Sequence, residues 1–423
     1  MALFLGIDFG TSGCRGCVID STGTVLAEAR VSLPVPRRVG AAVEQDPALW
    51  WQALDDTLGR LRARIPLQAV TALCLDGTSA TVLGIDGDGS PVTPALMYND
   101  TRAGAAAARI RARTPAAHGA HGASASLAKA LWLLEHAPDG TIRRFLHQAD
   151  WLLGRLCGRF DTCDENNALK LGYDSRARRW PDWLDALGMP RTLLPRVVPA
   201  GTPLGNLQPQ WCRRWGLPAA TVVISGTTDS TASFIATGAG PGEAVTALGS
   251  TLVVKILAEQ PVFAPQYGIY SHRLGEHWLA GGASNTGGAV LAQFFSRDEM
   301  ERHSRALRPD QPTGLDYYPL PAAGERFPLC DPQLAPRLEP RPADDAVFFQ
   351  AILEGIAAIE AAGYRRLAEL GAPFPARVLT TGGGAVNTGW TRIRARLLGV
   401  PVSAAAHQEA AYGAALLALR AVA

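Results

Sequence analysis

Four short stretches are polar or Gly-rich turns: Asp8-Phe9-Gly10-Thr11-Ser12-Gly13, Asp76-Gly77-Thr78-Ser79, Gly226-Thr227-Thr228-Asp229 and Gly382-Gly383-Gly384. A fifth, Gly249-Ser250-Thr251, lies between two apolar runs. Such turns offer bare backbone N–H groups and hydroxyls to one point, which is what an anionic phosphate requires. Asp8, Asp76 and Asp229 add carboxylates, which take a proton from a hydroxyl or hold a hard cation. Each stretch also has a plain structural reading. Asp8–Thr11 reads as an ordinary hairpin turn, Asp76 as a turn cap, Asp229 as the cap of a helix and Gly382–Gly384 as a connector. No G-x-x-x-x-G-K-[ST] occurs, and no G-x-G-x-x-G follows a strand and opens a helix. A nucleotide is therefore expected on hairpin turns rather than on a strand-to-helix loop.

The elements that must position these groups read as a repeated α/β order. Leu3–Asp8, Cys14–Asp20 and Thr24–Val31 are apolar runs separated by tight turns and so are expected as antiparallel strands. Asp46-Pro47 opens a helix to about Arg64, with Asp46 as cap and Pro47 at the first helical position. Ala69–Leu75 is the next strand, leading into Asp76–Ser79. The second half repeats the order: strands Glu243–Leu248, Leu252–Leu257 and His277–Ala280, and helices Gly288–Phe295 and Val347–Leu370. Strand Arg377–Thr381 then leads into the three glycines and a helix from Thr388 to Leu398. Ligands in open α/β sheets gather at such strand ends. The Pro-rich stretch 312–342 is expected as a surface excursion, of the kind that often serves as a lid or is mobile.

Length and composition narrow the class. The 423 residues suggest two domains of roughly 200 residues each, and 47% hydrophobic content supplies their cores. The 40 basic and 38 acidic residues nearly cancel, and no basic stripe forms, so nucleic acid is not an expected partner. Seven cysteines are too few for a disulfide scaffold. Cys14 and Cys17 form a lone C-x-x-C, but three residues apart on a strand they point to opposite faces. No uninterrupted apolar run approaches about 18 residues, and no leader-like segment opens the chain, so a cytoplasmic location without a membrane span is expected. Monomer and dimer stay equally open.

The order of the motifs carries a family resemblance. Gly6-Ile7-Asp8-Phe9-Gly10-Thr11-Ser12 resembles the first phosphate hairpin of the actin, heat-shock-chaperone and sugar-kinase superfamily. Within it the chain resembles the FGGY carbohydrate kinases along nearly its whole length. Glu44-Gln45-Asp46-Pro47-Ala48-Leu49-Trp50-Trp51, Met97-Tyr98-Asn99-Asp100-Thr101-Arg102 and Ser126–Leu133 look like family segments, the last with Ala130 where a larger apolar residue is usual. Asp150-Trp151-Leu152, Gly226–Asp229, Leu248–Thr251 and Thr381–Ala385 follow in the family's order. The resemblance implies an α/β fold of two ribonuclease-H-like (actin-like ATPase) domains around a central interdomain cleft. It divides the chain into 1–236, the sugar and Mg/phosphate side, and 237–423, the ATP side, with the last helix a candidate to pack back on the first domain. It implies ATP and Mg²⁺ as cofactors and Asp229 as the base that accepts the proton of the attacking hydroxyl. Asp8 matches the carboxylate beside Mg²⁺. Thr11, Ser12, Gly249, Ser250 and Thr251 would meet phosphate, and Gly382, Gly383, Gly384, Ala385 and Asn387 would surround the adenosine.

The acceptor is expected to be a small sugar bound by Asp8, Asp76, Thr78, Ser79 and Asp229. Where glycerol kinases carry an Arg-Glu pair and typical xylulose kinases Gln-Met-His-Gly, this chain has Asp76-Gly77-Thr78-Ser79. With Gly-Thr-Thr-Asp-Ser and Asn167–Asp174, that turn resembles a compact, xylulose-kinase-like subgroup acting on D-ribulose, so D-ribulose is favoured over D-xylulose. A nucleotide-dependent interaction protein of the actin or chaperone kind shares only the first hairpin. Trp50-Trp51, Lys129–Trp132 and Asp229 speak for the kinase. Asp100 is expected behind the sugar ligands rather than among them, and Lys129 either as a solvated helix charge or as a structural link.

Overall fold

The first sheet is built on β1 (Leu3–Gly10) and β2 (Gly13–Asp20), antiparallel neighbours joined by the Thr11–Ser12 turn. β3 (Val25–Ser32) follows antiparallel, with Ala27, Ala29 and Val31 inward and alternate residues outward, as one covered face requires. Helix α1 (Pro47–Arg62) opens on the Asp46 cap, whose carboxylate accepts the Ala48 N–H, and crosses over to β4 (Val70–Gly77), parallel to β1. Both β1 and β4 are apolar and buried along almost their whole length, as strands covered on both faces are. Trp50 of α1 is fully buried with its indole N–H on Gln45, so that family-like tryptophan belongs to the core. Helices α2 (Ser126–His136) and α3 (Gln148–Cys157) follow, then β5 (Pro203–Asn206) and β6 (Val222–Ile224). The strand order is β5-β6-β4-β1-β2-β3. Helix α4 (Asp229–Ala236) leaves the end of β6.

The structure is a computed structural model that describes residues 2–116 and 118–422. Its contacts divide the chain into two units. One holds the chain up to Ala236, His272–Gly275 and the segment from Glu409 onward; the other holds Thr237–Ser271 and Glu276–Gln408. Within the first unit, the C-terminal helix Ala410–Val422 lies against β1 and α4. A Cβ on Gly6 would overlap the Ala411 carbonyl, and one on Gly413 would overlap the Ala232 carbonyl, so glycine at both positions sets the approach. Cys14 faces the α1 side and Cys17 the C-terminal helix, so the C-x-x-C pair is split across the sheet.

The second unit repeats the theme. β7 (Glu243–Leu248) and β8 (Leu252–Ala258) form a hairpin around Gly249–Thr251, and β9 (His277–Ser284) pairs antiparallel to β8. β10 (Arg377–Thr381) and β11 (Val402–Ala404) continue parallel from β7. The expected helix Gly288–Phe295 is helical only over Gly288–Leu291; a Ser296–Glu299 capping box then starts helix α5 (Arg297–Ala306). Helix α6 (Asp345–Glu369) is long and apolar enough to cross a membrane, yet 78% of that window is buried inside the protein. It is the central helix of this core, contributing Phe348, Phe349, Ile352 and Ile356. Helix α7 (Thr388–Leu398) follows β10.

The Pro-rich stretch departs from its expected role as an exposed excursion. Tyr317, Leu320 and Phe327 are buried, and Glu325 accepts hydrogen bonds from Ser284 Oγ (2.6 Å), the Asn285 N–H (2.8 Å) and Tyr318 Oη (3.1 Å). Prolines suppress regular structure, but four buried side chains still anchor the segment to the core.

Candidate active site

In the first unit, strand register does most of the assembly. Parallel pairing sets Asp8 of β1 beside Asp76 of β4, and a further bridge joins Gly77 to Thr228, the residue before Asp229. The ends of β1, β4 and β6 therefore bring three carboxylates to one edge. Gly226 permits this, because a Cβ there would overlap the Leu75 carbonyl. Asp229 is the first residue of α4 and not its cap: Thr228 Oγ1 accepts the Thr231 N–H at 3.3 Å, as a cap does at the third helical position. The Asp229 carboxylate accepts the Ser230 N–H at 2.6 Å.

The electrostatics of the trio are unfavourable taken alone. Asp8 is buried and bonded to Arg15 Nη1 at 2.7 Å, its cross-strand neighbour on β2. Burial nonetheless raises the Asp8 carboxyl above its ordinary range, and Arg15 offsets only part of that rise. Asp76 is fully buried, and among the described residues its carboxylate oxygens meet no N–H or hydroxyl donor, only the carboxyl of Asp8. Its carboxyl is raised well above the usual range by burial first, then by the charges of Asp8 and Asp229. Leaving a buried polar atom unpaired costs about 1–3 kcal/mol. A set of oxygen-only donors with surplus negative charge is what a hard divalent cation takes up, so these residues fit Mg²⁺.

The Asp76–Ser79 turn is held from two sides. Gln148 Oε1, at the start of α3, accepts both the Thr78 N–H (3.0 Å) and the Thr78 hydroxyl (2.9 Å). The same hydroxyl lies 2.6 Å from Thr81 Oγ1. Thr78, expected among the sugar ligands, thus has its proton and its N–H committed inside the protein and shapes the turn, whereas Ser79 Oγ is buried and has no partner among the described residues. Lys129 is fully buried, not solvated, and its Nζ donates to the carbonyls of Ala80 (2.7 Å), Met97 (2.7 Å) and Leu96 (3.4 Å). Ala80 has φ +68°, a strained value for a residue with a side chain, and the lysine grips that carbonyl. Burial pushes Lys129 down to about 7, with Asp100 pulling the other way. Asp100 accepts the Val43 N–H at 2.7 Å and pairs with Arg102, a framework role.

In the second unit, Gly249, Ser250, Gly383, Gly384 and Asn387 line a cavity of about 860 Å³, closed by Met300, Ser304 and Phe349 among others. That size suits an adenosine. Thr251, Gly382 and Ala385 flank this cavity without lining it, and Thr11 and Ser12 belong to the β1–β2 turn of the first unit. Gly382, at φ +81°, donates its N–H to Gln408 Oε1 (2.8 Å). Asn387 caps α7 through the Trp390 N–H (2.9 Å) and donates to Ser304 Oγ (2.9 Å), so its amide fixes the cavity wall. One further trio, His147, Asp150 and Cys163, is close enough to hold a metal. Both ring nitrogens of His147 are already engaged, by Ser126 Oγ (2.9 Å) and Asp150 Oδ2 (3.2 Å).

Sequence reasoning missed Arg15, Gln148 and Ser304. Arg15 had a usable signal: across an antiparallel hairpin it must face Asp8. Gln148 lies 70 residues from Thr78, and no local pattern marks it.

Comparison with known proteins covers both units. Residues 3–236 match the N-terminal domain, and residues 244–422 the C-terminal domain, of the FGGY family of carbohydrate kinases. The xylulose kinase of Escherichia coli (strain K12) is 26% identical, over 94% of this chain and 85% of that protein. The L-fuculokinase of Salmonella typhi is 26% identical, over 95% of this chain and 88% of that protein. Among solved structures, a xyloylose kinase from Brucella ovis superposes with TM-score 0.89 at 27% identity, covering 99% of this chain and 90% of that one. The Plasmodium falciparum glycerol kinase with ADP shares the fold at TM-score 0.87 and 17% identity, covering 100% of this chain and 90% of that one.

Proposed function

From the premise that the chain belongs to the FGGY family of carbohydrate kinases, we propose that it transfers the γ-phosphate of ATP to the terminal hydroxyl of a ketopentose, D-ribulose ahead of D-xylulose. The observation that carries this reading is the convergence of Asp8, Asp76 and Asp229 at adjacent strand ends. The sugar oxygen attacks the γ-phosphorus as the bond to the ADP oxygen breaks, and the hydroxyl proton passes to Asp229 late in the transfer. A positioned base of this kind contributes about 10²–10⁴-fold. Asp229 is placed for the role at the first position of α4, beside the end of β6, where Thr228 supplies the helix cap.

The remaining groups position the reactants. Thr11 and Ser12 of the first unit, and separately Gly249–Thr251 of the second, offer the N–H groups and hydroxyls that phosphate takes, and the 860 Å³ cavity of the second unit takes the adenosine between Gly383–Gly384 and α5. Mg²⁺ would be held through Asp8, with the buried charge of Asp76 beside it, and when bound would neutralise phosphate oxygens. Arg15 keeps Asp8 in place.

D-Ribulose is proposed because the Asp76–Ser79 turn bears small hydroxyls where bulkier groups are found in typical xylulose kinases. The names of relatives such as the E. coli xylulose kinase favour D-xylulose as the second reading. ADP release in a coupled assay, over a panel of ketopentoses, polyols and hexuloses with Mg·ATP, decides between them. The expected result is the highest kcat/KM with D-ribulose, abolished in Asp229→Asn with ATP binding retained. Preference for D-xylulose would replace the substrate, and no stimulation by any acceptor would remove the kinase reading.

A further inference from the structure

Apart from the Asp8 carboxyl beside Asp76, four buried polar atoms lack a hydrogen-bond partner among the described residues, and all fall on one turn and the side chain bonded to it: Asp76 Oδ1 and Oδ2, Ser79 Oγ and Gln148 Nε2. Buried polar atoms are nearly always paired, so a group of four beside the candidate base calls for a ligand. Their chemistry is mixed. Asp76 only accepts when ionised, the Gln148 NH₂ only donates, and Ser79 does both. A phosphate or carboxylate would be repelled by Asp76, a cation would serve the Asp76 oxygens but not the Gln148 NH₂, and an apolar ligand would leave all four stranded. Each hydroxyl of a polyol both donates and accepts, so two adjacent hydroxyls satisfy the set.

The orientation of Gln148 follows from its bonds. Its carbonyl end faces two donors, the Thr78 N–H and the Thr78 hydroxyl; a flipped amide would set NH₂ against the N–H. Nε2 is therefore the end left over. The Gln148 backbone N–H donates to the Thr81 carbonyl at 3.2 Å, which anchors the start of α3 to the same turn. Gly77 lets the amide lie directly on the turn, since a Cβ there would come within 3.0 Å of Gln148 Oε1.

We propose that Gln148 is a specificity residue whose side-chain NH₂ donates to a hydroxyl of the acceptor sugar, with Asp76 and Ser79 completing the contacts to that hydroxyl or its neighbour. This rests on the reading of the chain as a pentulose kinase. The amide thereby links two tasks: one end sets the turn, and the other end reads the substrate.

The test compares wild type, Gln148→Met and Gln148→Glu on the preferred ketopentose and on its singly deoxygenated analogues. Glu keeps an acceptor for Thr78 and so retains the turn, while Met removes both ends; thermal melts check folding of each. Both variants should lose about 10–100-fold in kcat/KM for the sugar, with KM for ATP unchanged. Wild type should discriminate against the analogue that lacks the contacted hydroxyl, and both variants should lose that discrimination at that one position. An active wild type whose deoxy-sugar profile is unaltered in the folded variants overturns the inference alone. A wild type that phosphorylates no ketopentose overturns the functional reading and this inference with it.

Discussion

Asp8 and Asp76 face one another because two parallel strands are in register, and the chain spends stability to keep them so. Burial raises both carboxyls above their unfolded values, and the charges of Asp8 and Asp229 raise Asp76 further. The folded protein therefore binds more protons than the unfolded chain once pH exceeds about 4, and its stability falls as pH climbs through the raised range. A cation takes over what the protons do. Mg²⁺ should accordingly raise the melting temperature more at about pH 8 than at about pH 5, where protons compete for the same oxygens. Equal shifts at both pH values, followed by scanning calorimetry, would show that these carboxylates do not take the ion. Thr78 and Asn387 make the complementary point. Both have site-like residue types, yet their hydrogen bonds are directed into the framework.

At the scale of elements, the Asp76–Ser79 turn depends on two helices that come from elsewhere in the sequence. α2 reaches it through Lys129 and α3 through Gln148. Lys129→Met would leave the carbonyls of Ala80, Leu96 and Met97 without their donor in a buried setting. A loss of about 2–4 kcal/mol is expected, read from the denaturant midpoint at unchanged slope. Because Ala80 follows Ser79 directly, KM for the sugar should rise while KM for ATP holds. A parallel rise in both would mean the lysine supports the unit as a whole rather than this turn. In the second unit, the Pro-rich stretch shows that a segment without regular structure can still be part of a core, through Tyr317, Phe327 and the buried Glu325.

For the whole molecule, the chain's last element completes its first sheet. The helix Ala410–Val422 covers β1 and meets α4, the helix that starts with Asp229. Truncation after Gln408 would expose Phe4, Cys17, Ile19 and Ala72, all buried beneath that helix. The truncated chain is expected to aggregate or to lose its cooperative melt, and supplying 409–423 as a fusion to residues 1–236 should restore a folded first unit. A soluble, cooperatively melting truncation would contradict this. The sequence by itself determined the α/β order and the strands Glu243–Leu248 and Arg377–Thr381. It also determined helices α1 and α7 and the family, since Pro47, the glycine turns and continuous apolar runs act over a few residues. Tertiary structure alone decided Lys129 on Ala80 and Gln148 on Thr78. These two contacts span 49 and 70 residues, and no periodicity along a chain encodes which side chains a sheet and two distant helices bring together.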